Sequence, residues 1–330
     1  MKEMSILPES YHVRPPSFED LERTTELLAA CDIADYGMPH YSLGMLHSNW
    51  IGLDLERDAW LVFTDKQQLV GYAGVWYKQP MRMFSTINVH PDYRGQEIEK
   101  YLLCQTEARA EHHFDEAPQG TRITLNTWVS CNNEASERFL KQEGYELVRH
   151  FWQMVIELDE PTPYPALPSG IDIQTFDPVI DSQPVYEAVE ESFQDHWGHH
   201  TPSFEEWSKS HLDGEDYDPS LILVARAGGE VAGVAICHEG EDGGWVEQLA
   251  VRRPWRRQGL GTALLMTIFN EFYLRGVQKV GLLVDAQNQT GATRIYQRAG
   301  MQIELRRSAF QKELQFSKVK GLAELVGTIG

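Results

Sequence analysis

The sequence predicts an α/β protein made of two tandem domains, and an internal repeat is the main reason. The stretch RRPWRRQGLGTALL at 252–265 has a degenerate counterpart, HPDYRGQEIEKYLL, at 90–103. Between the copies lies DEPTPYPALPSG, whose four prolines fit neither a helix interior nor a central strand. The expected division is a first domain at 1–158, a proline-rich linker at 159–170, a second domain at 171–316 and a C-terminal tail at 317–330.

The first elements of the second copy follow from composition and periodicity. IDIQTF at 171–176 suits a strand, and PVYEAVEESFQ at 184–194 places apolar residues at helical spacing. A loop and a second short helix are expected next. SLILVAR and VAGVAICHE flank the turn AGGE and predict a hairpin, which GWVEQLAV at 244–251 follows as another strand.

The remaining elements begin with a long helix from Gly259 to about Arg275. Its apolar residues recur every four positions, at Leu260, Leu264, Ile268 and Phe272. KVGLLVD reads as a buried strand, and TGATRIYQRAG predicts a short helix that ends before the glycine at 300. MQIELRRSAFQKEL closes the copy as a final strand, so each copy is an α/β domain.

Composition and charge exclude several classes of function. With 42% hydrophobic and 24% charged residues, the chain can bury a substantial core. The 29 Lys and Arg against 49 Asp and Glu give a net charge of −20, which repels nucleic acid and anionic lipid. The opening MKEMSILPES lacks the apolar region of a signal peptide, and no apolar run is long enough to span a membrane. We expect a cytoplasmic protein without nucleic-acid or membrane partners.

The four cysteines are scattered along the chain. They are Cys31, Cys104, Cys131 and Cys237, and no two form a Cys-x-x-Cys pair. Zinc knuckles and disulfide frameworks need closer or more regular spacing. We expect reduced, mostly buried thiols.

The stretch RRQGLG lies between a strand that ends at Val251 and a helix that begins near Gly259. A helix N-terminus offers unpaired N–H groups and partial positive charge, and glycines let a phosphate approach the main chain closely. Arg256 and Arg257 add long-range attraction. The turn therefore suits a pyrophosphate.

Two other interpretations of this turn are weaker. A plain helix start with a solvated arginine face would suffice if the glycines stood alone. A dinucleotide-binding fingerprint gains support from Asp285 at the end of the next strand, but it needs a third glycine or alanine where Leu264 stands. It also requires a glycine directly after the strand, whereas RRPWRRQ intervenes here.

The order of these motifs resembles the GNAT superfamily of acetyl-CoA-dependent N-acetyltransferases. The tandem arrangement, with DHWGHHTPSFEEW in the second copy, is similar to mycothiol-synthase-like double GNAT proteins. The resemblance implies two GNAT domains, each with a mixed, mostly antiparallel sheet flanked by helices. The residues that match the family pattern are Val251, Arg256, Gly259, Gly261, Asn288, Tyr296 and Gly300.

The resemblance also implies how acetyl-CoA would bind. The main chain of the strand end would pair with the pantetheine arm, and the amides of the turn would hold the pyrophosphate. The cofactor-binding residues implied in this way are Leu249, Ala250, Val251, Arg256, Arg257, Gln258, Gly259, Leu260, Gly261, Thr262 and Asn288.

Acetyl transfer to an amine requires a group that takes a proton from the amine. A period of two puts Glu247 on the same strand face as Leu249 and Val251, toward the expected thioester. We predict that Glu247 is this base, acting through water. The alternative is a strand glutamate that faces solvent.

The departing thiolate must in turn gain a proton. Tyr296 stands where the family commonly places this acid, although a tyrosine at helical spacing can also be core packing. Asn288 precedes the short helix, and we expect it both to contact the cofactor and to cap that helix.

The histidines of DHWGHH invite a metal-binding interpretation, which the absence of a carboxylate or thiol at ligand spacing disfavours. By the resemblance, this loop shapes the acceptor pocket. Asp195, His196 and Trp197 are therefore predicted acceptor-site residues, with a surface loop as the alternative.

The first copy lacks parts of this chemistry. Aligned on the strand ends, Glu97 and Glu99 replace the two glycines, and aligned on the short helices, Leu140 replaces the tyrosine. Two unit charges about 4 Å apart repel by about 4 kcal/mol at an effective dielectric of 20. We expect the first domain to serve acceptor recognition or structure.

The predicted function is acetyl transfer from acetyl-CoA to a primary amine of a small molecule or peptide, with the chemistry in the second domain. Direct attack by the amine is expected, without a metal ion and without an acetylated cysteine. The acidic composition favours a cationic acceptor, and the resemblance suggests a cysteinyl or amino-sugar amine. A non-catalytic acyl-CoA-binding protein is the alternative, and the sequence does not specify an oligomeric state.

Overall fold

The computed structural model describes residues 7–79, 82–112, 123–163, 166–194, 196–213, 217–240, 242–288 and 291–314. The chain forms two compact units. The first unit consists of Met1–Val148 with Arg307–Gly330, and the second of Arg149–Arg306. The predicted tail at 317–330 lies outside the described residues.

The first unit has a mixed sheet in which one strand pair is parallel. Its strands follow the order β1-β2-β3-β4-β5, and residues 307–313 of the last strand of the chain pair antiparallel with β5. Among the described residues of this unit, β4 and β5 are the pair that runs parallel, at residues 82–85 and 124–127. The elements of this unit are β1 (Tyr11–Arg14), α1 (Leu21–Tyr36), α2 (Leu43–Ile51), α3 (Leu55–Asp58), β2 (Ala59–Thr64), β3 (Leu69–Gln79), β4 (Arg82–Val89), α4 (Ile98–Glu111), β5 (Thr124–Ser130) and α5 (Glu134–Gln142).

The second unit repeats this plan. Its strands follow the order β6-β11-β10-β9-β8-β7, again with one parallel pair, between β10 and β11. The mixed, mostly antiparallel α/β sheet predicted for each copy is thereby confirmed. The remaining elements are β6 (Glu146–Glu157), β7 (Ile171–Thr175), α6 (Pro178–Phe193), α7 (Phe204–Leu212), β8 (Ile222–Ala227), β9 (Glu230–Gly240), β10 (Gly243–Val251), α8 (Leu260–Leu274), β11 (Lys279–Asp285), α9 (Ala292–Arg298) and β12 (Gln302–Glu313).

The two units divide the chain at positions other than the predicted domain boundaries. Residues 151–157 of β6 were expected in the first domain, yet they pair with β11 in the second unit. Residues 307–313 of β12 were expected in the second domain, yet they belong to the first unit. Each half of the chain therefore supplies a terminal strand segment to the other unit's sheet.

The sheet of the second unit is covered on both faces. The larger cluster contains Phe269 and Phe272 of α8, and the other contains Val185 of α6 and Trp207 of α7. All four side chains are almost fully buried. The apolar stripe of α8 thus packs on the sheet as its four-residue period predicts.

Helix α6 begins earlier than predicted. Asp177 caps it by accepting a hydrogen bond from Val179 N at 2.9 Å, and Pro178 occupies the first turn, where the missing N–H costs nothing. The helix continues through Pro184, which the sequence pattern places at its start. Among the described helices, none combines the length and apolar character that crossing a bilayer requires.

Candidate active site

A cleft opens in the second unit where β10 and β11 stop pairing. The parallel register covers only Gly244↔Val280 and Trp245↔Gly281. A Cβ on Gly281 would lie 2.6 Å from the Trp245 ring, so this close strand approach requires glycine. Beyond it lies a cavity of about 1280 Å³, lined among others by Leu249, Val251, Leu282, Val284 and Asp285.

The turn before α8 lies on this cleft. Gly259 is the N-cap residue with φ 89°, and Arg257 also has a positive φ of 62°. No side chain caps the helix, so the N–H groups of its first turn have no partner within the helix. A Cβ on Gly261 would make only ordinary contacts, with Val251 Cγ2 at 3.6 Å. Bare main-chain donors and open space fit the pyrophosphate of acetyl-CoA.

Arg256 holds the turn in place. Its Nε donates to Val251 O at 2.9 Å, and its Nη2 donates to Ser192 O at 3.3 Å. Two carbonyls thus fix the guanidinium between the strand end and α6, which gives Arg256 a structural part beyond the predicted attraction of phosphate.

Most of the predicted cofactor-binding residues line the cleft, and two side chains point elsewhere. Ala250 is 1% exposed and packs in the cluster of α6 and α7. Gln258 donates from Nε2 to Pro254 O at 2.9 Å. The predicted residues that line the cleft are Leu249, Val251, Arg256, Arg257, Gly259, Leu260, Gly261, Thr262 and Asn288.

Glu247 lies at a β-bulge, which the predicted alternation of the strand did not anticipate. Val246 pairs with Cys237 and Gln248 with the adjacent Ile236, so Glu247 is the extra residue. Val246 packs in the same cluster as Leu249, which strict alternation forbids. Glu247 nevertheless lines the cleft, because the bulge re-aims its side chain.

Two histidines flank the carboxylate of Glu247, which is half-exposed. His211 Nε2 lies 3.9 Å from Glu247 Oε1, and His238 Nδ1 lies 3.8 Å from Oε2. All three residues line a smaller pocket of about 180 Å³, and Glu247 lines both this pocket and the cleft. Glu247 is thus where the two spaces meet.

Tyr296 lines the cleft from α9 and is 9% exposed. Burial raises the pKa of Tyr296 to about 12, which keeps the phenol protonated and able to donate. Asn288 also lines the cleft, but the expectation that it caps α9 is wrong. The N-cap of α9 is Gly291, with φ 76°, three residues after Asn288.

The predicted acceptor-site residues are placed in part. His196 and Trp197 line the cleft, whereas Asp195 lies outside the described residues. The guanidinium carbon of Arg149 is 5.5 Å from the centroid of the Trp197 ring, and the Phe151 ring centroid is 6.3 Å from it. These contacts hold the loop on one wall of the cleft.

Four residues around this site were not predicted from the sequence. Arg149 and Phe151 come from β6, and nothing local in the sequence indicates which sheet that strand joins. His211 and His238 flank Glu247, and the spacing of Trp207 and His211 on one helix face was an available signal for the first of them.

Cysteine and metal chemistry have little support in the described residues. Cys237 lines the small pocket, but burial raises its pKa well above the usual value, so the thiol stays protonated. Cys31, Cys104 and Cys131 are likewise thiols that take part in no disulfide within the described residues. No three His, Cys, Asp or Glu side chains of the described ranges cluster as metal ligands.

The corresponding turn of the first unit has the same backbone shape. Gly95 and Glu97 have φ values of 75° and 65°, and Glu97 is the N-cap residue of α4. The carboxylate of Glu99 accepts a hydrogen bond from Gly95 N at 2.9 Å. Leu140, opposite Tyr296 in the repeat, is buried in the core.

Sequence and structure comparisons agree with this geometry. The sequence profile of the acetyltransferase (GNAT) family matches residues 21–145 and 182–301. The chain is 29% identical over 252 residues to the mycothiol acetyltransferase of Thermobispora bispora, covering 73% of this chain and 79% of that protein. The mycothiol acetyltransferase of Streptomyces coelicolor is 28% identical over 252 residues, covering 73% and 75%.

Two solved structures share the fold. A GCN5-related N-acetyltransferase from Sphaerobacter thermophilus superimposes with a TM-score of 0.88 and 35% identity, over 94% of this chain and 98% of that chain. A tandem GNAT protein from the clavulanic acid biosynthesis pathway superimposes with a TM-score of 0.66 and 18% identity, over 93% and 99%.

Proposed function

Because the chain belongs to the GNAT family of acetyltransferases, we propose that its second unit binds acetyl-CoA in the cleft and acetylates a primary amine of a small molecule or peptide. The observation that carries this proposal is the turn before α8. It combines an uncapped helix N-terminus with a glycine N-cap at the wall of a cavity of about 1280 Å³.

Acetyl-CoA supplies the activated acetyl thioester, and residues of the cleft supply the proton transfers. Glu247 accepts a proton from the acceptor, because a protonated alkylamine has no lone pair with which to attack. Tyr296 donates a proton to the departing sulfur, since its raised pKa of about 12 keeps the phenol in the donor form. The protonated thiol Cys237 has no part in this scheme, and the amine attacks directly.

The acceptor amine lies in this proposal near Glu247, where the small pocket meets the cleft. The lining of that pocket contains two carboxylates, Asp218 and Glu247, and neither lysine nor arginine. Because Asp218 is paired with Arg275 at 2.6 Å, the carboxylate of Glu247 is the one that attracts a cationic amine. The relatives named mycothiol acetyltransferase make a cysteinyl amine and an amino sugar the first acceptors to test.

The test is a screen of primary amines for coenzyme A release, with cysteinamide, glucosamine and spermidine as first probes. We expect acetyl-CoA-dependent release with at least one amine. Glu247→Gln should lower kcat/KM about 100-fold while leaving acetyl-CoA affinity unchanged, because it removes the base and keeps the shape.

Glu239→Gln is the matched control, since Glu239 is exposed on the neighbouring strand β9. It should retain the full rate. Unchanged turnover in Glu247→Gln would remove Glu247 from the reaction, and failure to bind acetyl-CoA would overturn the proposal as a whole.

A further inference from the structure

We propose that His211 accepts from Glu247 the proton that the acceptor amine loses. This proton then resides on the His211 imidazole in the small pocket. The inference rests on the proposed function and extends it to a residue on α7. It is carried by the hydrogen bonds that fix the His211 ring and by the place of that ring beside Glu247.

The hydrogen bonds of His211 define which ring nitrogen carries hydrogen. Nδ1 lies 2.9 Å from Trp207 O, and a carbonyl oxygen can only accept, so Nδ1 bears the hydrogen. The hydroxyl of Ser210 also donates to Trp207 O, at 3.0 Å, which leaves its oxygen free to accept from Nδ1 at 2.8 Å. In the neutral ring, Nε2 therefore carries a lone pair.

That lone pair lies near the carboxylate of Glu247 and accepts a hydrogen bond from Gln248. Nε2 lies 3.9 Å from Glu247 Oε1, and the side-chain amide of Gln248 donates to it at 3.2 Å. The ring stacks on Trp207 with centroids 5.0 Å apart, and only 11% of the His211 side chain is exposed. The His211 ring is thus held in place against a buried aromatic side chain, and Nε2 can take a proton when the Gln248 amide turns away.

The surroundings can also stabilise the protonated ring. The Trp207 carbonyl accepts from Nδ1 in both states, and the carboxylate of Glu247 compensates the new charge. Gln248 Oε1 is buried and has no hydrogen-bond partner in the structure. Rotation of that amide by half a turn would present Oε1 to a protonated Nε2, so Gln248 can serve either state.

Other titratable groups face the same pocket. His211 is the acceptor that the geometry selects, because its tautomer is fixed, whereas His238 is 36% exposed. The titratable side chains that line the pocket are His211 from α7, Tyr217 and Asp218 before β8, Cys237 and His238 from β9, and Glu247 from β10. Asp218 is already paired with Arg275 at 2.6 Å.

The proton balance assigns His211 a definite step. A substrate ammonium has three hydrogens on nitrogen and the product amide has one, so two protons leave the nitrogen. One is balanced by the proton that Tyr296 gives to the sulfur, and the other leaves the enzyme. His211 Nε2 accepts this second proton from Glu247 and later releases it to solvent. The electron pair of the broken N–H bond stays on the amine nitrogen, which then attacks the thioester. Imidazole suits this step because it is a stronger base than a carboxylate by about two pKa units in water.

The first test is the tautomer, which needs no acceptor. Long-range proton–nitrogen NMR of the full-length protein should show neutral His211 with hydrogen on Nδ1 and not on Nε2. The opposite tautomer would overturn the proposal. This result is independent of acetyl-CoA binding, so it separates failure of the inference from failure of the proposed function.

The second test is chemical rescue. His211→Phe keeps a ring against Trp207 and should lower kcat/KM for the best amine probe about 100-fold, with unchanged acetyl-CoA affinity. His211→Ala should recover at least about 10-fold of the lost activity when imidazole is added.

His200→Ala is the control, because His200 is an exposed histidine in the same unit. Imidazole should leave its rate unchanged. A His211→Phe enzyme with the wild-type kcat/KM, or a His211→Ala enzyme that imidazole does not activate, would show that the ring only packs.

Discussion

The turn before α4 in the first unit and the turn before α8 in the second share a backbone path but present opposite chemistry. Positive φ occurs twice in each, at Gly95 and Glu97 and at Arg257 and Gly259. Glycine occupies the first of the two positions in the first unit and the second position in the second unit, but the backbone conformation is the same. In the first unit, the Glu99 carboxylate accepts a hydrogen bond from the Gly95 N–H. In the second unit, no side chain caps the turn before α8. The two turns thus share a local shape while differing in the main-chain donors that they leave uncapped.

The arginine at the end of each strand differs in the same way. Arg94 and Arg256 both donate from Nε to the carbonyl of the last strand residue, at 3.2 and 2.9 Å. Arg94 also binds Asp35 of α1 at 2.7 and 3.1 Å, and Asn133 donates to the same carboxylate. In the first unit, the Asp35 carboxylate therefore links α1 to Arg94 and Asn133. Its ligand-like contacts are internal, and they support a structural part for this unit.

The largest effect is expected from copying the first unit's turn into the second. Gly261→Glu should weaken acetyl-CoA binding at least about 100-fold, because a carboxylate about 4 Å from a phosphate costs about 4 kcal/mol at an effective dielectric of 20. A Cβ at this position makes only ordinary contacts, so the fold should survive. Calorimetric titration of the full-length protein measures the change.

Gly261→Ala serves as the control for space, and it should bind within a few-fold of wild type. Wild-type protein and Glu99→Gly should each bind one acetyl-CoA per chain. Two acetyl-CoA sites in the wild type would contradict the proposed difference between the two turns. A second site gained only in Glu99→Gly would show that the Glu99 side chain alone closes the turn of the first unit.

A smaller effect on binding but a large one on turnover is expected at Tyr296. Tyr296→Phe should lower kcat about 100-fold and leave acetyl-CoA affinity unchanged, because it removes a proton donor and keeps the ring. Since the pKa of Tyr296 is raised to about 12, the phenol keeps its proton below that pH. The wild-type rate should show no loss from tyrosine ionisation near pH 10.

Tyr101→Phe, in the first unit, is the matched control and should retain the wild-type rate. Full turnover of Tyr296→Phe would mean that α9 supplies packing at this position in both copies, as Leu140 does in the first.

The smallest effect is expected at Asp35. Asp35→Ala leaves Arg94 and Asn133 without their shared acceptor and should lower the free energy of unfolding by about 2 kcal/mol. Urea denaturation measures this change. Asp92→Ala is the control, since 84% of the Asp92 side chain is exposed. Weakened acetyl-CoA binding in Asp35→Ala would contradict a structural part for this cluster.

Local patterns predicted much of the fold. The helix expected from Gly259 to about Arg275 is α8, with those two residues as its caps, and the predicted hairpin is β8 and β9. These elements depend on periodicity and on glycines in turns, which are readable over a few residues. The cleft position of Tyr296 followed from the family pattern in the same way.

Features set by tertiary context were not predictable. The bulge at Glu247 leaves the composition of β10 unchanged, so alternation did not indicate that Val246 packs with Leu249, although Glu247 lines the cleft with Leu249 and Val251. The histidine neighbours of that carboxylate come from α7 and β9, which only the fold brings together. The sequence also does not indicate which unit each terminal strand segment joins, because in a repeat either copy of a strand suits either sheet.

That exchange has a consequence for how the protein is made. The first unit needs residues 307–313 beside β5, and a ribosome releases them only after the second repeat has been synthesised. Until then, the amino-terminal half has one sheet edge without its partner strand, and unpaired edges promote aggregation. Nascent chains stalled before residue 307 should depend on chaperones more strongly than the finished protein does.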